Sequence, residues 1–174
     1  MSRPKRGNRE EEIIEAGLEV FAKRGYYQTT TALIAEKAGI SQPYVFKFFK
    51  TKEVLFETAL SRAYERINRS LQNVKADPDH LIEAMIAAYE NLSDSRPYEV
   101  ALQVIGLSVP EAAIMAVTRR GLLLIRKNVL NRFREAGIKN AEREVTRLMA
   151  EGILCNISFF LELPELMEKQ AAEK

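Results

Sequence analysis

With a single cysteine and a single histidine in 174 residues, most metal and nucleophile chemistry is removed before any motif is sought. Cys155 has no partner for an intrachain disulfide. Its apolar neighbours Ile153, Leu154 and Ile157 point to a buried, inert thiol and a reducing, cytoplasmic setting. His80 stands just after Asp77 and Pro78, a helix-start signature, with no second ligand of its kind nearby. It reads as a first-turn surface residue rather than a metal ligand or catalytic base. A Gly-rich phosphate loop, a nucleophile elbow and a Cys/His metal spacing are all missing. The basic start has no apolar run after it, as a secretory signal would need, and no apolar stretch approaches membrane-spanning length. No catalytic residue, metal, cofactor or membrane partner is expected, and an enzyme using Glu and Lys in a helical cleft lacks any constellation to support it.

What is present suits a binding protein of modest size. The chain is 47% hydrophobic and 29% charged, enough for one or two compact domains with real cores. The net charge of +2 says little until the chain is divided at Lys52. Residues 1–52 carry 10 Lys/Arg against 6 Asp/Glu, and the remainder 16 against 18, so the basic excess belongs to the N-terminal segment. Arg3, Lys5 and Arg6 lie on a tail that either folds onto phosphates or is a loose start.

The segment from Thr29 to Glu53 is the most densely punctuated. Thr30 or Thr31 caps a short helix in which Ile34, Ala35 and Ala38 repeat at near-helical spacing, and Gly39 ends it where a left-handed residue is needed. Ser41 is an N-cap candidate, Pro43 sits in the first turn of the next helix, and Tyr44 to Phe49 form that helix. Thr51 caps a longer helix whose first residue, Lys52, puts a cation beside amides that already favour an anion, so a phosphate fits there. Two short helices around a glycine turn, followed by a capped third, form the layout of a helix-turn-helix. A generic three-helix packing unit is the plainer reading.

The rest of the chain reads as helices jointed at prolines and glycines. A first helix starts at Asn8, with Glu11 completing a capping box, and stops at Gly25. Its Ile14, Leu18 and Phe21 share a face. A fourth runs from Lys52 to Val74 and joins the N-terminal segment to the remainder. Others run from Asp77-Pro78 to Asn91, from Ser95–Pro97 to Gly106 or Leu107, from Glu111 to Ala136 before Gly137, and from Asn140 to Pro164. Val145 to Leu161 carries more apolar surface than one shallow contact covers, so the last two long helices are expected to build a homodimer interface, with small residues at Ala150 and Gly152. A central helix covered on all sides in a monomer is the alternative.

Residues from about Arg9 to Leu60 resemble the DNA-binding domain of the tetracycline-repressor family of bacterial transcription regulators. Carrying the resemblance are Gly25, the paired Thr30 and Thr31 before Ile34-Ala35, the turn Ala38-Gly39-Ile40-Ser41, the aromatic run ending Phe48-Phe49, and Lys50-x-Lys52-Glu53. The resemblance implies an all-α protein, with a helix-turn-helix DNA-binding domain over 1–52 and a helical ligand-binding and dimerisation domain over 53–174. It implies a homodimer reading a palindromic double-stranded operator and a small-molecule effector that alters the spacing of the two heads, most simply as a repressor. The implied DNA-facing set is Thr31, Ser41, Gln42, Pro43, Tyr44, Phe46, Lys47, Lys50 and Lys52. Thr31 and Lys52 match family phosphate positions, and Gln42 suits paired bonds to adenine. Phe46 stands where many members carry tyrosine, and Phe48 where they carry tyrosine or histidine, which removes the usual phenolic grip on phosphate. Phe48 and Phe49 are expected in the core against Phe21 and Leu55.

For the effector, Met85, Tyr89, Tyr98, Leu102, Gln103 and Met115 are the pocket candidates, each equally able to be ordinary core. An apolar or amphipathic compound suits them. A helical protein-interaction module without sequence-specific DNA binding is the competing function.

Overall fold

The computed structural model describes residues 6–167, and every regular element among them is helical. In chain order these are α1 Arg6–Gln28, α2 Thr31–Lys37, α3 Gln42–Val45, α4 Lys52–Gln72, α5 Leu81–Ser95, α6 Pro97–Ser108, α7 Ala112–Glu135 and α8 Ala141–Leu161. Short 3-10 turns, Pro78–His80 and Pro164–Leu166, precede α5 and follow α8.

Local chemistry explains where the boundaries differ from the sequence reading. Gly25 sits at φ 72°, ψ 173° and breaks α1, yet one more turn carries the chain to Gln28. That turn is held because the Tyr26 ring packs at 5.0 Å from Phe56 and the Thr29 hydroxyl donates to the Gly25 carbonyl at 2.7 Å. At the other end α1 begins at Arg6, ahead of the expected start at Asn8. Glu11 instead accepts from Arg62 and Arg66 of α4. Helix α3 is only four residues, not the stretch Tyr44 to Phe49, because the amides of Lys47 and Phe48 bond three residues back and tighten the chain into turns. Asp77-Pro78 opens a 3-10 turn with His80 exposed at its end, and α5 proper starts at Leu81. It continues past Asn91 to Ser95, with the hydroxyls of Ser93 and Ser95 donating back to the carbonyls of Tyr89 and Asn91.

A single apolar core runs from Ile13 in α1 to Leu148 in α8, and α4 is its axis. Helix α4 packs against α1, α5, α6 and α7, most extensively against α7. Its buried stripe, Leu55, Ala59, Ala63 and Ile67 with Phe56, Leu60 and Tyr64 beside it, follows helical spacing. Where α4 crosses its neighbours, they present glycine. A methyl group on Gly106 of α6 would come within 3.0 Å of the Leu60 side chain, and one on Gly121 of α7 would overlap the Tyr64 ring. The ring therefore lies directly on the α7 backbone, and burial pushes its phenol above the ordinary pKa range.

Charge fixes the same helix from the other side. Arg66 reaches Glu15 of α1 and, at 2.6 Å, Glu99 of α6, which Arg96 also approaches at 3.3 Å. Glu99 is 3% exposed, so its carboxylate depends on these two guanidiniums. Burial acts to lower the Arg66 pKa, but its bonds to Glu15 and Glu99 carry the net shift upward.

Gly121→Ala is expected to cost about 1–3 kcal/mol of stability, the usual penalty for overpacking a filled site. Urea denaturation of the purified protein reads that loss directly.

Candidate nucleic-acid interface

The turn between α2 and α3 is built from backbone bonds. Thr30 is the residue that caps α2, its hydroxyl accepting from the Leu33 amide at 3.3 Å. Gly39 takes φ 66°, which lets the Ile40 amide reach the Ala35 carbonyl at 3.0 Å and close the C-terminus of α2. Ser41 occupies the N-cap position of α3 in extended backbone, but its hydroxyl makes no capping bond. Its carbonyl accepts from the Tyr44 amide at 2.9 Å, and Pro43 stands in the first turn. Val45 is wholly buried and points α3 inward, leaving Ser41, Gln42, Pro43, Phe46, Lys47 and Lys50 exposed on the outside.

Three side chains of this surface are held before any partner arrives. Gln42 donates through Nε2 to Thr31 Oγ1 at 2.8 Å, and Thr31 is itself buried. The amide of Gln42 is therefore oriented by α2 rather than free to rotate. Tyr44 lies between Phe48, edge-on at 5.5 Å, and the Lys47 ammonium, 5.0 Å from the ring centre. Phe48 is half-buried against Tyr44 while Phe49 is in the core, so only the second of the pair is the buried residue expected of both. Phe46 is exposed, with no phenolic oxygen to offer.

Lys52 has partners that the sequence did not disclose. Its Nζ donates to the Tyr26 carbonyl at 2.9 Å and lies 4.4 Å from the centre of the Tyr26 ring. The ammonium thus neutralises carbonyl groups at the end of α1, where a helix carries partial negative charge. Thr51 caps α4 as expected, accepting from the Val54 amide at 3.1 Å. Arg3 and Lys5 lie outside the described residues, as does the side chain of Arg6.

Residues 13–59, which contain all of this geometry from α1 to the first turns of α4, match the model for bacterial regulatory proteins of the tetR family. Residues 13–59 thus form a tetR-family segment. Over 65 residues it is 37% identical to the uncharacterized HTH-type transcriptional regulator YvkB of Bacillus subtilis (strain 168), a match spanning 37% of this chain and 34% of that protein. The chain thus aligns with about a third of that relative's length. YhgD, an uncharacterized HTH-type transcriptional regulator of the same organism, is 24% identical over 153 residues, 80% of this chain and 76% of YhgD. The fold matches the crystal structure of a transcriptional regulator from Rhodococcus sp. Rha1, with a TM-score of 0.76 and 22% identity over 90% of this chain and 88% of that one. These relatives are transcriptional regulators and not enzymes.

Beyond the tetR-family head, an interhelical cavity of about 80 Å³ opens among α4, α5, α6, α7 and α8. Of the six pocket candidates, Tyr89 and Gln103 line it. Met85 and Leu102 are wholly buried in the core outside its wall, Tyr98 is half-buried with the Lys23 ammonium 5.6 Å from its ring, and Met115 is exposed. Gln103 Nε2 donates to the Tyr89 hydroxyl at 2.9 Å, and that hydroxyl donates to Asn156 Oδ1. Burial pushes the Tyr89 phenol up to about 12, with the bonds to Gln103 and Asn156 opposing, so it is a neutral donor throughout the physiological range. The sequence reading missed Asn156; the signal available for it is its place as the one amide inside the apolar run ILCNISFF, where a buried polar group needs a partner. Cys155 is half-buried in the same wall rather than fully buried, and burial raises its thiol pKa. Among the described residues no group of three or more His, Cys, Asp and Glu is placed to hold a metal, and no helix is long and apolar enough to cross a membrane.

Lys52→Met is expected to destabilise the free protein by about 1–2 kcal/mol, the value of a charge-assisted bond to the partly buried Tyr26 carbonyl. Thermal unfolding without DNA measures it, and an unchanged Tm would assign Lys52 to the surface alone.

Proposed function

We propose that this chain is a cytoplasmic transcriptional regulator, acting as a repressor, that binds a palindromic duplex operator as a homodimer. It releases that operator when a small apolar or amphipathic effector fills the interhelical cavity. Residues 1–52 serve as the reading head and 53–174 as the ligand-binding and dimerisation body. The observation that carries the reading is the reach of α4. Its first turn holds α1 through Lys52, its middle holds α1 through Arg62 and Arg66, and its Ile67 and Leu71 line the cavity.

The cavity is too small for its work as it stands. An apolar cavity of about 150 Å³ accommodates benzene, whereas this one measures about 80 Å³. Any larger effector must part the helices, and α4 is one of the walls. A ligand favouring one head separation and DNA favouring another are then coupled by linkage, and about 1.4 kcal/mol of difference changes operator affinity tenfold.

On the DNA side, α3 enters the major groove with Gln42 presented from Thr31, while Tyr44, Lys47, Lys50 and the first turns of α2 and α4 meet sugar and phosphate. On the opposite side, Leu123 and Leu124 of α7 and Leu154, Ile157 and Phe160 of α8 are exposed apolar residues, and they supply the faces for a four-helix dimer contact.

Selection from random duplex DNA tests the reading. An inverted repeat is the expected product, and enrichment of nothing at low salt would favour a protein-interaction module. On the selected site, Gln42→Ala is expected to cost about 1–3 kcal/mol and relax preference at one base pair, while Lys47→Ala weakens all sequences alike and lowers the salt slope by about 1. Ile157→Glu is expected to give a folded monomer by sedimentation equilibrium, with operator affinity reduced by two orders of magnitude or more as the second head is lost.

A further inference from the structure

The charges around the cavity are one-sided. Among the described residues, two of those lining it are ionic, Glu90 on α5 and Glu151 on α8, and none is Lys, Arg or His. Beyond residue 52, where the lining residues lie, basic and acidic side chains are close to balance, 16 against 18. These carboxylates are not occupied in the way that others are. Glu11, Glu15, Glu19, Glu99, Glu142 and Glu144 all sit in ion pairs, whereas neither Glu90 nor Glu151 does among the described residues.

The remaining polar groups of the wall have little to give an anion. The proton of the Tyr89 hydroxyl goes to Asn156, and Gln103 directs its amide to Tyr89. A ligand carboxylate or phosphate entering here would meet two negative groups and, among the described lining residues, no compensating cation. A cation meets the opposite situation. It gains two carboxylates on separate helices. Deeper in, Ile67, Leu71, Ile86, Leu122 and Leu148 offer only hydrocarbon.

From this arrangement we infer that the cavity selects a hydrophobic cation, with an apolar body among Ile67, Leu71 and Leu122 and an ammonium or guanidinium end between Glu90 and Glu151. This deepens the proposed function and rests on the cavity being the effector site. Such a ligand also bridges α5 and α8, which a neutral compound of the same length does through apolar contact alone.

Three ten-carbon probes sharing one tail test the charge directly: decyltrimethylammonium, decanol and decanoate, each titrated into the full chain below its micelle concentration by calorimetry. The cation is expected to bind tightest and decanoate weakest. Glu90→Gln and Glu151→Gln, both at solvent-accessible positions that the fold tolerates, are each expected to weaken the cation about fivefold, the size of one screened charge contact, and to leave decanol unchanged. Decanoate binding as tightly as the cation would overturn the inference, as would cation affinity indifferent to both substitutions. If decanol or decanoate binds and releases operator while the cation does not, the effector cavity stands and its cation selectivity falls. Binding of none of the three would remove both.

Discussion

Everything in this molecule that connects one end to the other depends on how α4 is seated. Leu60 and Tyr64 lie against Gly106 and Gly121, so bulk on α4 meets bare backbone on α6 and α7. Such a seat tolerates little sliding, because a close-packed crossing gives up its dispersion contacts within a fraction of an ångström. Arg66 adds direction to the steric fit, since its two ends satisfy carboxylates on α1 and α6 at once. Helix α4 therefore moves with its neighbours or not at all, and its C-terminal half is a wall of the cavity. The buried Glu99 makes the arrangement all-or-none: loss of Arg66 would leave a carboxylate in the core with one exposed partner.

The reading surface shows the same economy at smaller scale. A four-residue helix has little stability of its own, and α3 persists because Val45 and Phe49 anchor it in the core. Its outer side chains are then fixed by neighbours rather than by the helix: Gln42 by Thr31, Tyr44 by Phe48 and Lys47. In the proposed reading of DNA, fixing them in advance would reduce the entropy lost on docking and favour specificity over mere electrostatic adhesion.

Much of this was legible in the sequence, and the division follows from physics. Caps, glycine turns and prolines act within four residues, so the layout from Thr30 through Thr51 and the all-helical course could be read residue by residue. Buried stripes were visible for the same reason, as in Leu55, Ala59, Ala63 and Ile67. What stayed hidden joins residues far apart in the chain. Glu11 looked like a capping residue and instead serves Arg62 and Arg66, more than fifty positions away. Lys52 looked like a free cation at a helix start, yet its ammonium is engaged by the end of α1. In the body, Tyr89 and Gln103 could be named as pocket candidates, but nothing in their spacing told them apart from Met85 and Leu102, which are core. Asn156, Glu90 and Glu151 come to the same cavity from helices whose mutual rotation only packing decides.

Whether α4 carries the state of the cavity to the head can be read as a distance. A spin label at Glu36→Cys, on the exposed side of α2, in a Cys155→Ser background gives one label per chain and one label-to-label distance in the proposed dimer. Pulsed electron-spin spectroscopy would record that distance with the cavity empty and with a ten-carbon probe bound. A rigidly seated α4 predicts a narrow distribution that shifts as a unit on binding and returns when Gly121→Ala loosens the seat. An unchanged distribution with the probe demonstrably bound would contradict the coupling and leave the cavity and the reading head as independent features of one fold.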